Sequence, residues 1–304
     1  MTRSLRNWIT AGLPDGAFDA LAGGLPASRL WSLLIEVLEA RAGARQLPAI
    51  AEQWASDRFV QPGVVDQRST VAVDCHLLAA TSAFEAIELS PIAPLGVCSV
   101  MGRASQNKVL SALRGTEVVA DPTNVMALEC ARRLKRDPST VVRLATSHRC
   151  VRAQEIPKQS GFTATFRIFC LATAGIEREN HGLVVDATAE QIDTMLGALD
   201  RLEQHGFAFG DRLVTIFATE QRAAIADRIA GTLTASAVTR AVLEHPYYSY
   251  GLRFQIGVRT KDGADIPFID GGAFDWVAKL TSNRRALFVA TGMGSQLAAL
   301  LFRA

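Results

Sequence analysis

Arginines placed in otherwise apolar strands are the residues of this sequence best suited to bind an anion. Arg149 lies within the largely apolar run 144–151, where a guanidinium must find an anionic partner or reach solvent. Arg253 and Arg259 share the polar side of a second predicted strand with Gln255. A polar side that lines a cleft favours an anionic ligand, whereas arginines at a sheet edge are hydrated. The sequence leaves both arrangements open.

The short motifs that usually mark nucleotide, metal or nucleophilic chemistry are missing. The sequence contains no P-loop, GxSxG elbow, HExxH pair or EF-hand loop, and only Gly292-Met293-Gly294 approaches a dinucleotide fingerprint. The five cysteines are widely spaced, without a CxxC pair or a Cys/His cluster of zinc-ligand spacing. We therefore expect no metal site and a reduced, cytoplasmic environment. A Ser/His/Asp triad built from distant residues stays open.

The composition is that of a globular protein with a substantial core. Apolar residues make up 49% and charged residues 20% of the 304 positions, which excludes a disordered chain, a collagen and a coiled coil. The net charge of +2 is too small for a surface that tracks nucleic acid along its whole length. The longest apolar run, Ala286 to Phe302, contains two glycines and a glutamine and falls short of the roughly 20 residues of a membrane span. We expect no membrane insertion.

Periodicity divides the chain into a helical N-terminal region and a mixed remainder. Residues 1–80 carry apolar residues at helical spacing, with prolines as punctuation. From residue 81 onward, short apolar runs broken by proline and glycine predict strands. We expect residues 1–80 to form a helical region that packs on a core formed by residues 81–304.

The predicted strands of the core pair mainly antiparallel. The runs 141–151 and 164–173, joined by a polar loop, predict a long hairpin. The strict alternation of 252–258, followed by a turn at 261–263 and an apolar return, predicts a second hairpin. The expected fold class is α+β, with a mainly antiparallel mixed sheet of about six strands flanked by helices and with the two hairpins adjacent.

Three later segments are predicted to be helical or to turn into a helix. Segment 186–206 has a clear apolar face, and Thr188 and Gln191 have the spacing of a capping box at its start. The alanine-rich segment 222–243 predicts another helix. The glycines of 270–275 predict a turn that leads into a further helix.

The order of elements between residues 84 and 301 resembles the catalytic core of class II aminoacyl-tRNA synthetases, in particular the histidyl type and its paralogues. Segment 84–91, with the sequence Phe-Glu-Ala-Ile-Glu-Leu-Ser-Pro, resembles motif 1, which forms the dimer interface in that family. Ser147-His148-Arg149-Cys150, with the second strand of its hairpin, resembles motif 2. The resemblance implies a homodimer formed through the motif 1 region and a catalytic role for Arg149.

Further segments follow in the order of the histidyl type. Segment 118–123 lies where that family has a substrate loop, the tyrosine pair at 247–248 resembles its paired-tyrosine strand, 270–275 its glycine-rich turn, and 292–297 resembles motif 3. The resemblance implies that these segments bind the substrate. The residues implied for substrate binding are Asp121, Thr123, Tyr247, Tyr248, Arg253, Gln255, Gly271, Gly272, Gly292, Gly294 and Gln296.

The chain departs from the family at polar contacts to ATP and substrate. The family has a glutamate two residues after the motif 2 arginine, where this chain has Val151, and its motif 3 arginine is replaced by Gln296. An arginine that precedes the tyrosine pair is replaced by Leu243. The sequence also ends directly after the motif 3 helix. We therefore expect no anticodon-binding domain, no tRNA partner and only weak ATP binding, with no other cofactor implied.

Two functions are compatible with these matches and departures. In the first, the chain is a histidyl-synthetase-like paralogue that does not charge tRNA. It binds a small anionic or amino-acid ligand as a regulatory or accessory subunit, with a catalytic subunit as partner, like the histidyl-synthetase-like regulatory subunit of ATP phosphoribosyltransferase. In the second, it is an ATP-dependent ligase that activates an amino or carboxylic acid for an acceptor other than tRNA. An unrelated α+β protein with coincidental matches stays open at this point.

Overall fold

The computed structural model describes residues 3–103, 105–156, 162–234, 237–260 and 263–303. Its strands are β1 (Glu85–Ala86), β2 (Ile92–Pro94), β3 (Ser111–Ala112), β4 (Thr116–Val118), β5 (Val142–Val151), β6 (Thr165–Ile176), β7 (Arg212–Ala218), β8 (Val238–Val242), β9 (Leu252–Arg259), β10 (Asp265–Phe274) and β11 (Ala286–Met293). Its α-helices are α1 (Arg3–Thr10), α2 (Ala17–Asp19), α3 (Ala27–Gly43), α4 (Leu47–Ser56), α5 (Gln67–Ala80), α6 (Pro122–Arg136), α7 (Gly182–Glu203), α8 (Ala223–Thr232), α9 (Trp276–Thr281) and α10 (Ser295–Leu301).

A mixed sheet of eight strands organises the fold, in the spatial order β1-β5-β6-β11-β10-β9-β7-β8. The six central strands, from β5 to β7, are all paired antiparallel. The edge strands β1 and β8 pair in parallel with their neighbours. This arrangement confirms the predicted α+β class with a mainly antiparallel mixed sheet. Both predicted hairpins form, but they are not adjacent, because β11 pairs with β6 on one side and with β10 on the other.

The alternation predicted for the second hairpin is present in β9. Its apolar residues Leu252, Phe254, Ile256 and Val258 are at most 1% exposed, whereas the residues between them are partly exposed. The strand therefore buries one side against helices and turns its polar side to the opposite face of the sheet. Most of the predicted turn, residues 261–262, lies outside the described residues.

One face of the sheet, which we call the closed face, is covered by α5, α7, α8 and α10. The helix α7 begins at Gly182, several residues before the predicted start. Thr188 and Gln191 are therefore buried in the helix interior and do not cap it, contrary to the prediction. Gly206, with φ of +88°, follows the helix in the left-handed conformation that commonly ends helices.

The opposite face, which we call the open face, is covered by α6 and α9 and by a small sheet of order β2-β4-β3. Asp121 caps the start of helix α6, since its side chain accepts a hydrogen bond of 3.0 Å from the backbone N–H of Thr123. The small sheet is fixed by the buried Glu117, which accepts hydrogen bonds from the backbone N–H groups of Gly96 and Cys98. These elements leave a gap over the centre of the sheet.

Two predictions of local structure are wrong. The segment 222–243 is not a single helix, because α8 ends at Thr232 and the chain then forms β8 at the sheet edge. The segment 270–275 is not a turn but the end of β10, and α9 follows it. A Cβ atom on Gly271 would lie 2.5 Å from Phe254 Cζ, and one on Gly272 would lie 2.4 Å from a backbone oxygen. Both glycines thus serve close packing inside the sheet.

The helices of the N-terminal region differ sharply in how they pack. Helix α5 packs on α7, α10 and β5, whereas α2, α3 and α4 contain no buried residue. Trp8 and Trp54 are 77% and 57% exposed. The described helices include none that is long and apolar enough to cross a membrane.

Candidate functional site

A cavity of about 610 Å³ lies in the gap on the open face. Its walls are formed by β6, β10 and β11, by the beginning of α6, and by the segments 152–156 and 245–248. We call it the central cavity. Its volume lies within the roughly 300–1,000 Å³ typical of small-molecule sites.

One corner of the central cavity is built around the carboxylate of Asp121. Its Oδ1 accepts a hydrogen bond of 2.7 Å from Thr123 Oγ1, and its Oδ2 accepts one of 3.3 Å from the Tyr247 hydroxyl. Arg152 Nη2 lies 3.5 Å from Asp121 Oδ2, and Arg152 Nε donates to the carbonyl of Ala120 at 2.8 Å. The corner therefore presents a guanidinium whose charge is already balanced by a carboxylate.

A second corner is built around the carboxylate of Asp270. Arg253 binds it through two hydrogen bonds of 2.9 Å, and the Tyr248 hydroxyl donates to Asp270 Oδ1 at 2.7 Å. The guanidinium of Arg253 also lies over the rings of Phe217 and Tyr248, 4.8 and 5.3 Å from their centroids. Burial and the neighbouring Asp270 raise the pKa of the Tyr248 phenol, so this hydroxyl stays protonated and remains a donor.

Nine of the residues predicted to bind substrate line the central cavity. They are Asp121, Thr123, Tyr247, Tyr248, Arg253, Gly271, Gly292, Gly294 and Gln296. Gln255 and Gly272 do not line it. Gln255 lies on the polar side of β9 and pairs with Asp270 of β10, but it does not contribute to the cavity wall. Gly272 faces the Tyr248 ring, with no room for a ligand between them.

Arg149 lies away from the central cavity, which corrects its predicted place in the site. In β5 it shares a side with Ser147, whose hydroxyl donates to Asp74 of α5 at 2.6 Å, so both residues point towards the closed face. Arg149 is exposed, donates to Thr165 Oγ1 at 2.9 Å and lies against Gly63. The alternation of a strand puts every second residue on the wrong side of the sheet for this cavity.

Arg152, three residues further on, is the arginine that the hairpin brings to the central cavity. It follows β5 in a loop, where no periodic pattern indicates the direction of a side chain, so no sequence signal points to it. Asp270, the partner of Arg253, was missed for a different reason. It lies in a segment whose glycines were interpreted as a turn.

Buried thiols near the first corner are poor nucleophiles. Burial raises the pKa of Cys98 to about 12, and it also raises the pKa of Cys170 well above its ordinary value. Both thiols therefore stay protonated near neutral pH. The described residues contain no group of three or more histidine, cysteine or acidic side chains that could hold a metal ion. The polar lining described above consists of hydrogen-bonding groups and paired charges.

Comparison with known proteins identifies the fold. No family model and no curated protein matches the sequence. An ATP phosphoribosyltransferase regulatory subunit/histidyl-tRNA synthetase from Bacillus halodurans C has a similar structure, with a TM-score of 0.57 and 14% identity over 79% of this chain and 82% of that chain. A histidine–tRNA ligase subunit from Alicyclobacillus acidocaldarius has a TM-score of 0.56 and 13% identity over 79% of this chain and 96% of that chain.

The threonyl type gives a similar match. A putative threonyl-tRNA synthetase from Aeropyrum pernix has a TM-score of 0.58 and 13% identity, and the match covers 76% of this chain and 59% of that synthetase. At such low identity the likeness establishes the fold and nothing finer. The predicted resemblance is confirmed at this level: the chain has the fold of class II aminoacyl-tRNA synthetases and is structurally similar to the histidyl type and its regulatory paralogue.

Proposed function

We propose that this chain is a cytoplasmic, synthetase-like accessory or regulatory protein that binds a small amino-acid or anionic ligand in the central cavity and does not charge tRNA. The observation that carries this proposal is the pairing of the cavity arginines. Arg152 lies beside Asp121, and Arg253 is held by Asp270. A balanced set of charges suits a zwitterion or a single carboxylate better than a polyanion.

ATP fits these residues poorly. A triphosphate needs cations that are not already neutralised, and in the described part of the cavity only Lys108 lies in no ion pair with a carboxylate. Gln296 and Val151 stand where the resembling family has an arginine and a glutamate for ATP. If each lost contact is worth about 1.5–3 kcal/mol, two of them weaken binding by at least two orders of magnitude. We derive no step through ATP.

The experiment is ATP–pyrophosphate exchange with each of the twenty amino acids, together with calorimetry of ATP binding. We expect no amino-acid-dependent exchange and no saturable ATP binding at millimolar concentration. Arg152→Ala and Arg149→Ala are a matched pair, because only the first removes a guanidinium from the central cavity. Rapid exchange in the wild type that is abolished by Arg152→Ala and retained by Arg149→Ala would overturn the regulatory proposal.

That outcome would establish the second candidate function, an ATP-dependent ligase for an acceptor other than tRNA. The observation that favours it is the position of Arg152, which carries a planar guanidinium suited to a carboxylate or a single phosphate. Its pairing with Asp121 is long, at 3.5 Å, so an incoming anion can compete for it.

We also propose that the chain forms a homodimer through the motif 1 region and acts on a catalytic partner subunit. Ile87 and Leu89 lie next to β1, which is an edge strand of the sheet among the described residues. They form a groove with Val125 and Leu128 of α6. Light scattering should give twice the monomer mass of 32.7 kDa. Ile87→Asp should yield a monomer, whereas Val242→Asp on the opposite edge strand should leave the mass unchanged. A wild type of monomer mass at micromolar concentration contradicts the proposal.

A further inference from the structure

Gln296 is a buried side chain with one unused hydrogen-bonding atom. It is 1% exposed, lines the central cavity and donates from Nε2 to Thr163 Oγ1 at 3.2 Å. Its Oε1 has no hydrogen-bond partner among the described residues. An unpaired buried carbonyl oxygen is unfavourable, so this atom calls for a donor supplied from inside the cavity.

The orientation of this amide is fixed by its neighbour. The Thr163 hydroxyl donates its single proton to the carbonyl oxygen of Thr165. It can therefore only accept from Gln296, which requires Nε2 and not Oε1 to face it. Exchanging the two amide atoms would place two acceptors against each other, so the unpaired atom of Gln296 is an acceptor.

A second unpaired atom, of the opposite kind, lies at the first corner. Nδ2 of Asn124 is buried, with the residue 2% exposed, and has no hydrogen-bond partner in the described structure. Asn124 lies next to Thr123 and the Tyr247 phenol, on the cavity wall that also carries Arg152. This corner offers donors, whereas the Gln296 end offers an acceptor.

The charges around the cavity limit the ligand further. Apart from Arg167, whose guanidinium pairs with Asp74 of α5, the lining holds three cationic residues, Lys108, Arg152 and Arg253, and three carboxylates, Asp121, Glu155 and Asp270. A ligand with a net charge would leave that charge unbalanced, whereas a zwitterion would not. Amino acids carry both a nitrogen donor and carboxylate acceptors within one small molecule.

We propose that Gln296 determines ligand specificity by accepting a hydrogen bond from a nitrogen of the ligand. The ligand class is a zwitterionic amino acid, bound with its nitrogen towards Gln296 and its carboxyl oxygens towards Asn124 and Arg152. The assignment rests on the proposed function in that it takes the central cavity as the ligand site. It names the polarity of the ligand and the residue that selects it.

The test compares amino acids with analogues that lack the nitrogen. Calorimetry on the wild-type protein is run with the twenty amino acids and, for the tightest binder, the carboxylic acid in which hydrogen replaces the amino group. We expect that acid to bind at least tenfold more weakly. Gln296→Leu should weaken binding of the amino compound at least tenfold and abolish its advantage over the acid. Arg149→Ala, the control variant, changes an exposed residue outside the cavity and should keep the advantage.

The outcomes separate this inference from the proposed function. Equal affinity for the amino compound and the nitrogen-free acid overturns the role of Gln296 while ligand binding in the cavity stands. Unchanged binding to Gln296→Leu does the same. If no amino acid binds the wild type, the ligand class proposed here is wrong. Thermal unfolding of Gln296→Leu checks that it folds, and Gln296→Met replaces it in the same comparison if it does not.

Discussion

Two buried glutamines of this protein are in opposite states. Gln191, on the closed face, is fully buried and donates from Nε2 to Thr173 Oγ1 and to the carbonyl of Val289, both at 3.0 Å, while its Oε1 accepts from Thr291. Gln296, at the start of α10, lines the central cavity, is buried almost as completely and lacks a donor for Oε1. Burial alone therefore does not distinguish a structural amide from a ligand-binding one. The hydrogen bonds do.

The difference follows from what covers each face. The 22-residue helix α7 lies on the closed face and presents twelve buried residues to it, so that surface is filled by protein atoms. On the open face, α9 has six residues and α6 begins beside the cavity, so part of the sheet is left for a ligand. Substitutions on the closed face should therefore change stability, and substitutions on the open face should change binding.

The largest effect is expected from removing a core side chain on the closed face. Leu199 of α7 is fully buried, and Leu199→Ala should lower the free energy of unfolding by about 2–5 kcal/mol. The matched control is Leu38→Ala in α3, where the side chain is 49% exposed and the change should stay within about 0.5 kcal/mol. Urea denaturation measures both. A comparable loss in Leu38→Ala would show that the N-terminal helices are covered in solution.

A smaller effect should separate the two glutamines. Gln191→Leu removes the hydrogen-bond partner of the Thr173 and Thr291 hydroxyls and of the Val289 carbonyl, which should lower the free energy of unfolding by about 1–3 kcal/mol. Gln296→Leu leaves few polar groups unpaired, because Thr163 keeps its hydrogen bond to Thr165 and the unpaired oxygen of Gln296 is removed. Denaturation without added ligand should show a clear loss of stability for the first variant only. Equal losses would mean that Gln296 is a structural amide.

The elements that could be predicted from the sequence are those with a periodic pattern of apolar residues. The alternation of 252–258 and the apolar face of 186–206 gave β9 and most of α7 correctly, because packing against a sheet imposes those periods. The capping role predicted for Gln191 is wrong, because the spacing of Thr188 and Gln191 alone does not locate the start of the helix. The additional turn before Asp186 depends on residues 182–185 packing on the core.

The candidate site was harder to predict, since its residues lie where periodicity ends. The family resemblance predicted Tyr247 and Tyr248, and the polar side of a predicted strand indicated Arg253; all three line the cavity. Arg152 lies in a loop, where no pattern predicts the direction of a side chain. The strand pattern favoured Arg149, three positions earlier, in its place. The Oε1 atom of Gln296 is left unpaired because Nε2 faces the hydroxyl of Thr163, which lies 133 positions away in sequence. No local pattern contains such a contact.

Acid should lower the free energy of unfolding through Glu129 of α6, on the open face. Hydrogen bonds from Arg132 and Arg133 lower the pKa of Glu129 from its ordinary 4.5 to about 2, although partial burial opposes the shift. A carboxyl whose pKa is lower in the folded state stabilises the fold above its ordinary pKa and loses that contribution as the pH falls. Stability should therefore decline between about pH 4.5 and 2. Glu129→Gln should flatten this part of the pH profile, whereas Glu36→Gln on the exposed α3 should leave it unchanged.

The smallest effect should arise where α5 meets the end of α7 on the closed face. The rings of His76 and His205 lie with centroids 3.8 Å apart, and burial, His205 and Arg201 together lower the pKa of His76 below 6.5. In the unfolded chain His76 regains its ordinary pKa and binds a proton more readily, so unfolding is favoured as the pH falls below about 6.5. His76→Asn should remove this slope from urea denaturation measured between pH 7.5 and 5, whereas His245→Asn on the open face should retain it. A slope that persists in His76→Asn would place the titrating group elsewhere and would leave the packing of α5 on α7 insensitive to protonation.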